Sequence, residues 1–179
     1  MSHAAFEAFV RRFQDMVFAT AVRLLGNPAE AEDVAQTVFL RAFERFDTIG
    51  ESPAAAGWLK AVTRHACLNH LARYRKRWRL FSEMPRTDDE SEMPYEATLR
   101  SPDSPASTFE RERQEQELEQ ALRQLPDHQR VPLVLFHFDD MSYQEIATLL
   151  GVSLGKIKTD IHRGREALRR HLTGTDASR

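Results

Sequence analysis

Residues Ser142–Arg170 read SYQEIATLLGVSLGKIKTDIHRGREALRR, and their pattern indicates how the C-terminal part of the chain folds. Ser142 followed three residues later by Glu145 is the pattern of a capping box, in which each side chain satisfies a backbone amide at a helix start. Gly151 follows the apolar stripe of that helix, and glycine adopts the left-handed conformation that ends a helix at little energetic cost. Ser153 can cap a second helix. The stretch therefore predicts two helices joined by a tight turn.

The second of these helices is amphipathic and basic. Its apolar residues recur at helical spacing and predict a buried face, which consists of Ile157, Ile161, Ala167 and Leu168. The same spacing predicts an exposed face of Lys156, Lys158, Thr159, His162, Arg163 and Arg165. A short helix, a turn with a glycine and a basic second helix indicate a helix-turn-helix, whose second helix can enter the major groove of DNA. A helical hairpin whose charges are only solvated is the alternative interpretation.

The composition of the whole chain indicates a folded, all-helical protein. Apolar residues make up 41% of the 179 residues, enough for buried cores, while glycine and proline are scarce. A single cysteine excludes an internal disulfide framework and favours a reducing cytoplasm. No apolar run reaches the roughly 20 residues that span a bilayer, so we expect no membrane insertion. The net charge of −2 excludes an attraction of the whole protein to nucleic acid, and a DNA-binding surface must therefore be local.

Three further helices are predicted in the N-terminal part of the chain. The first covers residues from about 4 to 25, the second starts after the capping residue Asn27, and the third runs from about 54 to 77. The third helix ends in a basic block that contains Arg73, Arg75, Lys76 and Arg77. The third helix also has polar residues at near-helical spacing, which can share one face. These residues are Arg64, His65, Asn69 and Arg73. Simple solvation of this face is the alternative to a binding role.

Residues 79–108 divide the chain into two domains. This segment contains four prolines, several serines and many acidic residues, and it has too few apolar residues to offset the entropy lost on ordering. We therefore expect an acidic, Pro- and Ser-rich linker between a domain at residues 1–78 and a second domain at residues 109–173. Residues 174–179 are predicted to be a disordered tail. The predicted fold class is all-α, with two small helical domains joined by a flexible linker.

Motifs in both domains resemble the conserved regions of bacterial sigma factors. Residues 32–43, EDVAQTVFLRAF, resemble the region 2 signature D-x-x-Q-(E/D)-x-F-L-x-x-(F/W). Residues 58–64, WLKAVTR, resemble the W-L-x-x-I-A-R that follows it. The stretch from Leu125 to Leu168 resembles region 4, which contains a recognition helix. Two such regions joined by a short linker resemble the extracytoplasmic-function (ECF) group.

The resemblance implies that the chain binds core RNA polymerase and promoter DNA. Region 2 binds the clamp helices of the largest polymerase subunit, and the matching positions are Asp33, Gln36, Thr37 and Phe39. The third helix and the loop before it read and melt the minus-ten element, which implies DNA contacts by Trp58, Arg64, His65, Asn69, Arg73, Arg75, Lys76 and Arg77. Region 4 binds the flap of the second-largest subunit and reads the minus-thirty-five element, which implies DNA contacts by Lys156, Lys158, Thr159, His162 and Arg163. Many family members are also held by an anti-sigma factor, so the presence of such a partner is an open expectation.

The chain departs from the family pattern at several positions. Thr37 stands where an acid is usual, which removes a negative charge from the surface offered to polymerase, and we hypothesise that phosphorylation restores this charge. His65 replaces a common asparagine and Asn69 a common aspartate in the expected pocket for the melted base. Asp160 replaces a usual arginine on the recognition helix, where a carboxylate can accept a hydrogen bond from cytosine. Gly164 costs up to about 1 kcal/mol relative to alanine within a helix, which favours the close approach of another helix.

Other classes of function find less support in the sequence. His65, Cys67 and His70 suggest a metal site, but their spacing on one helix does not bring all three to one face. We expect no metal, no cofactor and no enzymatic activity, because the sequence has no glycine-rich phosphate loop and no recognisable nucleophile constellation. A sigma-like decoy that binds an anti-sigma factor should lose the basic recognition face, which this chain keeps. A helix-turn-helix transcription regulator explains only the C-terminal half.

Overall fold

The computed structural model describes residues 3–72 and 108–176, which form eight α-helices and no strand. The predicted all-α fold class is confirmed. The N-terminal half contains α1 (His3–Leu25), α2 (Pro28–Glu44), α3 (Phe46–Ile49) and α4 (Ala55–His70). The C-terminal half contains α5 (Thr108–Gln124), α6 (Asp127–His137), α7 (Tyr143–Leu150) and α8 (Leu154–Asp176). Outside the described residues lie most of the predicted linker, the end of the predicted tail and four basic residues, Arg73, Arg75, Lys76 and Arg77.

Local capping explains where several of these helices begin and end. Asn27 accepts hydrogen bonds from the amides of Ala29 at 3.0 Å and Glu30 at 3.4 Å, so it caps α2 as predicted. Pro28 takes the first position of α2, where no amide donor is needed. The helix α4 ends at His70 with Leu71 as its C-cap residue, and the predicted end of this helix at about residue 77 lies outside the described residues. The helix α8 extends past residue 174, where the tail is predicted to begin.

The N-terminal half is a bundle in which α1 packs against α2 and α4. Its core is lined by side chains at helical spacing, including Phe13, Val17, Leu24, Val38 and Leu59. Burial of each large apolar side chain contributes roughly 1.5–3 kcal/mol. The short helix α3 lies in a segment that is predicted to be a loop. Its residue Phe46 packs against α1, and the ring centres of Phe46 and Phe6 lie 5.2 Å apart. The bundle holds the outer faces of α2 and α4 in fixed positions.

The C-terminal half is built around α6, which packs against both α7 and α8. Its core includes Val131, Leu135, Ile146, Ile157 and Ile161. Gly164 lies where α8 meets α6, and a Cβ atom there would lie 3.3 Å from the carbonyl oxygen of Gln129. The predicted close approach of another helix at Gly164 is therefore confirmed.

The two halves contact each other. The helix α1 packs against α6 and α5, and the buried apolar residues of both halves belong to one cluster. This packing decides which of the predicted binding residues reach the surface.

Candidate nucleic-acid and polymerase interfaces

The helix-turn-helix has the local geometry that its sequence predicts. Ser142 Oγ accepts from the amide of Glu145 at 3.2 Å, and Glu145 Oε2 accepts from the amide of Ser142 at 2.7 Å. Hydrogen bonds from the Ser142 side chain and amide lower the pKa of Glu145 below its ordinary value, because they stabilise the carboxylate. Gly151 ends α7 in the left-handed conformation, with φ 67° and ψ 39°. Ser153 Oγ accepts from the amide of Lys156 at 3.2 Å at the start of α8.

The outer face of α8 presents part of the predicted DNA-binding set. Lys158 and Arg163 are exposed, whereas Thr159 and His162 are half-buried. The hydroxyl of Thr159 donates to the carbonyl of Gly155 one turn earlier, at 2.9 Å. Long cationic side chains that project from a recognition helix can contact guanine edges or phosphates.

Lys156 and Asp160 form a buried ion pair. Lys156 is only 7% exposed and Asp160 only 4%, and Lys156 Nζ lies 2.6 Å from Asp160 Oδ2. The expectation that Lys156 is exposed is therefore wrong. The two residues lie one turn apart on the side of α8 that faces the beginning of α6. Burial there lowers the pKa of His128, and the charges of Asp160 and Lys156 act on it in opposite directions. The carboxylate of Asp160 is likewise directed into the protein, away from the face that would meet cytosine.

On α4, the structure separates residues that the sequence places on one polar face. His65 and Asn69 are exposed, and Trp58 is half-buried against the core. Arg64 is half-buried because its Nη1 atom lies 3.2 Å from Asp139 Oδ2 of the C-terminal half. Only His65 and Asn69 of this set are thus freely available on the surface of the described segments.

The outer face of α2 combines polar residues with exposed apolar ones. Asp33, Gln36 and Thr37 are exposed, as the predicted polymerase contact requires, and Phe39 is half-buried against the core. The hydroxyl of Thr37 donates to the carbonyl of Asp33 at 3.0 Å. One turn further along, Leu40 is 67% exposed. An apolar side chain of this size on the surface is a common sign of a binding site when it belongs to a patch.

Phe43, which is 42% exposed, extends this patch along α2. Neither Leu40 nor Phe43 is predicted from the sequence to be a binding residue, although both lie within the F-L-x-x-F motif. Their spacing of three residues is a signal that was available, because residues three apart share one helix face. We call the exposed set Asp33, Gln36, Thr37, Leu40 and Phe43 the α2 patch.

Within residues 3–72 and 108–176, no three histidine, cysteine or acidic residues are placed to hold a metal ion. Cys67 is buried, and this burial together with the nearby charge of Asp139 raises its pKa to about 12. Among the described helices, none is long and apolar enough to cross a membrane.

We expect the stability of the C-terminal half to depend on the protonation of His137. Burial and the charge of Arg165 lower the pKa of His137 below its ordinary value of 6.5, and Arg165 Nε donates to His137 Nε2 at 3.2 Å. The unfolded chain therefore binds this proton more readily than the folded chain does. Neutral His137 therefore stabilises the folded state. This contribution is complete above pH 6.5 and is lost as the pH falls through that value towards the lowered pKa of His137.

The melting temperature measured at a series of pH values between about 7.5 and about 5 tests this dependence. The variant His137→Gln keeps a hydrogen-bond acceptor for Arg165 without a titrating group, so its melting temperature should fall less over the same range. Some pH dependence should remain in this variant, because burial also lowers the pKa of His128. Identical pH profiles for the two proteins would contradict the assignment.

Comparison with known proteins places both halves in one family. Residues 9–79 match the family model for Sigma-70 region 2, and residues 115–168 match the family model for Sigma-70, region 4. The ECF RNA polymerase sigma factor SigW of Bacillus subtilis is 30% identical over 171 residues, which cover 94% of this chain and 89% of that protein. The RNA polymerase sigma-E factor of Streptomyces coelicolor is 32% identical, with coverage of 96% and 88%.

Two further similarities involve a longer relative and a solved complex. The ECF RNA polymerase sigma factor SigE of Mycolicibacterium smegmatis is 33% identical, and the match covers 94% of this chain but only 62% of that protein. A solved complex of the sigma factor RpoE with the anti-sigma factor NepR from Bartonella quintana has a TM-score of 0.49 and 22% identity. The match covers 94% of this chain and 96% of that chain. The matches to both sigma regions and the identity to SigW and sigma-E over nearly the whole chain show that this protein belongs to the ECF group of RNA polymerase sigma factors.

Proposed function

We propose that this sigma factor divides promoter recognition between its two halves, with region 2 at residues 1–78 and region 4 at residues 109–173. In this proposal the α2 patch binds the clamp helices of the largest subunit of core RNA polymerase. The exposure of Leu40 at the centre of polar and acidic neighbours supports this role, because protein interfaces usually have an apolar centre and a polar rim. Region 4 binds the flap of the second-largest subunit. The protein works in the cytoplasm, where the polymerase is found.

The minus-ten element is read and melted by α4 together with the basic block at its end. Taking a base out of the stack costs a few kcal/mol and requires a pocket that holds it. The exposed imidazole of His65 and the exposed amide of Asn69 can hydrogen-bond such a base, and Trp58 and Arg64 lie on the same helix. The basic residues Arg73, Arg75, Lys76 and Arg77 hold phosphates, which adds affinity without sequence information.

The minus-thirty-five element is read by α8. The observation that carries this proposal is the exposure of Lys158 and Arg163 on the outer face of a capped helix-turn-helix. Thr159 and His162 flank these cations and can contact a phosphate or a base edge. Lys156 is buried in an ion pair with Asp160 of the same helix, so in this proposal it supports α8 and makes no direct DNA contact.

Run-off transcription with core polymerase on a promoter library tests the proposed function. The library should return two conserved boxes at a fixed spacing. The variant Arg163→Ala should lose roughly 1–3 kcal/mol of discrimination at a guanine of the upstream box, and preference in the downstream box should not change. Arg169→Ala removes an exposed arginine further along the same helix and serves as the matched control. An equal loss on every sequence would mean that Arg163 contacts phosphate instead.

The α2 patch allows a second test, which uses the unusual threonine. Thr37→Glu should raise the affinity for core polymerase a few-fold at low salt, because it restores an acid on a surface that opposes a basic partner. The gain should disappear at high salt, since ions screen exposed charges. Binding titrations with wild type, Thr37→Ala and Thr37→Glu measure the effect. Three equal affinities would refute a contact of Thr37 itself with polymerase and regulation by phosphorylation at this position.

A decoy that binds an anti-sigma factor predicts a different outcome of the library experiment. Such a protein would give no promoter-dependent transcript, although it would still bind an anti-sigma factor. The exposed cations of α8 favour the sigma factor. An anti-sigma factor can also be a partner of an active sigma factor, so its binding alone would not distinguish the two functions.

A further inference from the structure

Leu154 is a large apolar side chain that the fold leaves on the surface of the C-terminal half. It is the first residue of α8 and is 37% exposed. The turn before α8 already has an apolar anchor, because Val152 is half-buried and packs against the core. A single exposed leucine is common on protein surfaces. The residues around Leu154 therefore decide whether it has a role.

The residues around Leu154 on α8 belong to the face that is proposed to read DNA. Lys158 lies four residues further along the chain and therefore projects from the same side of the helix. Lys158 and Arg163 are exposed, whereas the buried side of this helix begins with Lys156 and Ile157. Leu154 thus stands at the amino end of a row of exposed cations. In a helix-turn-helix, the residues at the amino end of the recognition helix are the ones that reach base edges.

An apolar side chain among cations fits the major groove of DNA better than it fits a protein surface. The duplex offers phosphates to the cations, and each thymine offers a C5-methyl group to an apolar side chain. The centre of a protein interface is instead depleted of charged residues. Leu154 has the exposed Lys158 one turn away, while the exposed apolar residues Leu40 and Phe43 lie together on α2. The charge around Leu154 therefore favours DNA as its partner.

We propose that Leu154 reads the C5-methyl group of a thymine in the upstream box. The inference rests on the proposed function and deepens it, because it adds an apolar contact to the hydrogen bonds that Lys158 and Arg163 can make. A leucine side chain has no hydrogen-bond donor or acceptor, so it distinguishes bases by shape and by the methyl group alone. Thymine and uracil have the same hydrogen-bonding edges and differ only in this methyl group. Leu154 should therefore make the protein distinguish thymine from uracil at one position.

Promoters with single deoxyuridines in place of thymines test this contact. Each thymine of the upstream box, on either strand, is replaced in turn, and holoenzyme formed from core polymerase and the full chain binds the modified and the unmodified promoter in competition. At one position the wild type should prefer thymine roughly fourfold, which is the effect of burying one methyl-sized group. Leu154→Ala should show no preference at that position.

Three results of this competition would overturn the proposal. The first is equal binding of thymine and uracil promoters by the wild type at every position of the upstream box. The second is an upstream box that contains no A·T pair. The third is a preference for thymine that persists in Leu154→Ala, because another residue would then make the methyl contact.

Two further variants separate the methyl contact from a structural effect. Leu154→Met keeps an apolar side chain of similar volume and should retain most of the preference for thymine. Leu154→Asn has a similar size but a polar end, and it should lose the preference. Both variants should melt at the temperature of the wild type, because Leu154 is exposed. If Leu154→Ala instead weakens assembly with core polymerase and lowers binding of thymine and uracil promoters equally, Leu154 contacts the polymerase and the proposal is overturned.

The same promoters distinguish failure of this inference from failure of the proposed function. A holoenzyme that requires both boxes and responds to Arg163→Ala, but binds thymine and uracil promoters equally, would overturn the role of Leu154 alone. A holoenzyme without any preference for the upstream sequence would count against the proposed function and would overturn the inference with it.

Discussion

Replacing Asp160 by alanine should destabilise the C-terminal half by about 3–5 kcal/mol, because the substitution leaves the ammonium of Lys156 buried without a counter-charge. The pair is nearly fully desolvated, with exposures of 7% for Lys156 and 4% for Asp160. An ammonium in that position must either carry its charge without water or lose its proton. Urea unfolding followed by circular dichroism measures the loss as a change in the free energy of unfolding.

The double variant Lys156→Met/Asp160→Leu is the control for this prediction. It removes both charges and keeps similar volumes, so its free energy of unfolding should lie within roughly 1–2 kcal/mol of the wild type in either direction. The double variant also tests whether Lys156 contacts DNA. If its preference for the upstream box is unchanged, the buried lysine supports α8 without reading bases. A loss as large as that of Asp160→Ala would contradict a charge pair as the reason for the effect.

Replacing Arg130 by methionine should cost about 3–5 kcal/mol and should affect both halves of the protein. Arg130 donates to the carbonyl oxygens of Leu24 and Leu25 in α1, to the carbonyl oxygen of Leu125 at 2.8 Å, and to the carboxylate of Asp127. Methionine fills much of the space but satisfies none of these acceptors. The loss should therefore appear as lower stability of α6 and as fraying at the end of α1.

Hydrogen exchange resolved along the sequence distinguishes this outcome from a local defect. Amide protection should fall at the end of α1 as well as at the start of α6, because the lost hydrogen bonds connect these two places. Arg123→Met removes an exposed arginine close in sequence and should change the free energy of unfolding by no more than about 0.5 kcal/mol. Lower protection in the C-terminal half alone would mean that Arg130 does not bind α1 in solution.

The buried sites at Lys156 and Arg130 show that basic residues have two different roles in this chain. Lys158 and Arg163 are exposed and can serve a ligand, whereas Lys156 and Arg130 are buried and serve the fold. The distinction matters for mutagenesis, because the loss of a buried cation lowers DNA binding through unfolding. Stability should therefore be measured for every variant before a change in promoter choice is assigned to a DNA contact.

Local features of the chain could be predicted from the sequence because their causes lie within a few residues. The capping box of Ser142 and Glu145, the left-handed Gly151 and the cap of Asn27 each satisfy backbone groups of their own helix. The all-α fold and both sigma regions follow from apolar periodicity and motif order. Gly164 also predicts a close helix contact, because a glycine within a helix lowers the stability of that helix and a close contact can compensate for the loss.

The availability of the predicted binding residues depends on tertiary packing. Helical periodicity places Lys156 and Lys158 on one basic face. Whether Lys156 at the edge of that face is buried depends on how α6 packs against α8. In the same way, near-helical spacing places Arg64 on one polar face with His65 and Asn69. Its pairing with Asp139, however, depends on how the two halves pack against each other. These contacts join residues far apart in the sequence, as Arg130 and Leu24 are, so no local pattern encodes them. Burial and pairing of charges are properties of the packed molecule, whereas caps and periodic faces are properties of the chain.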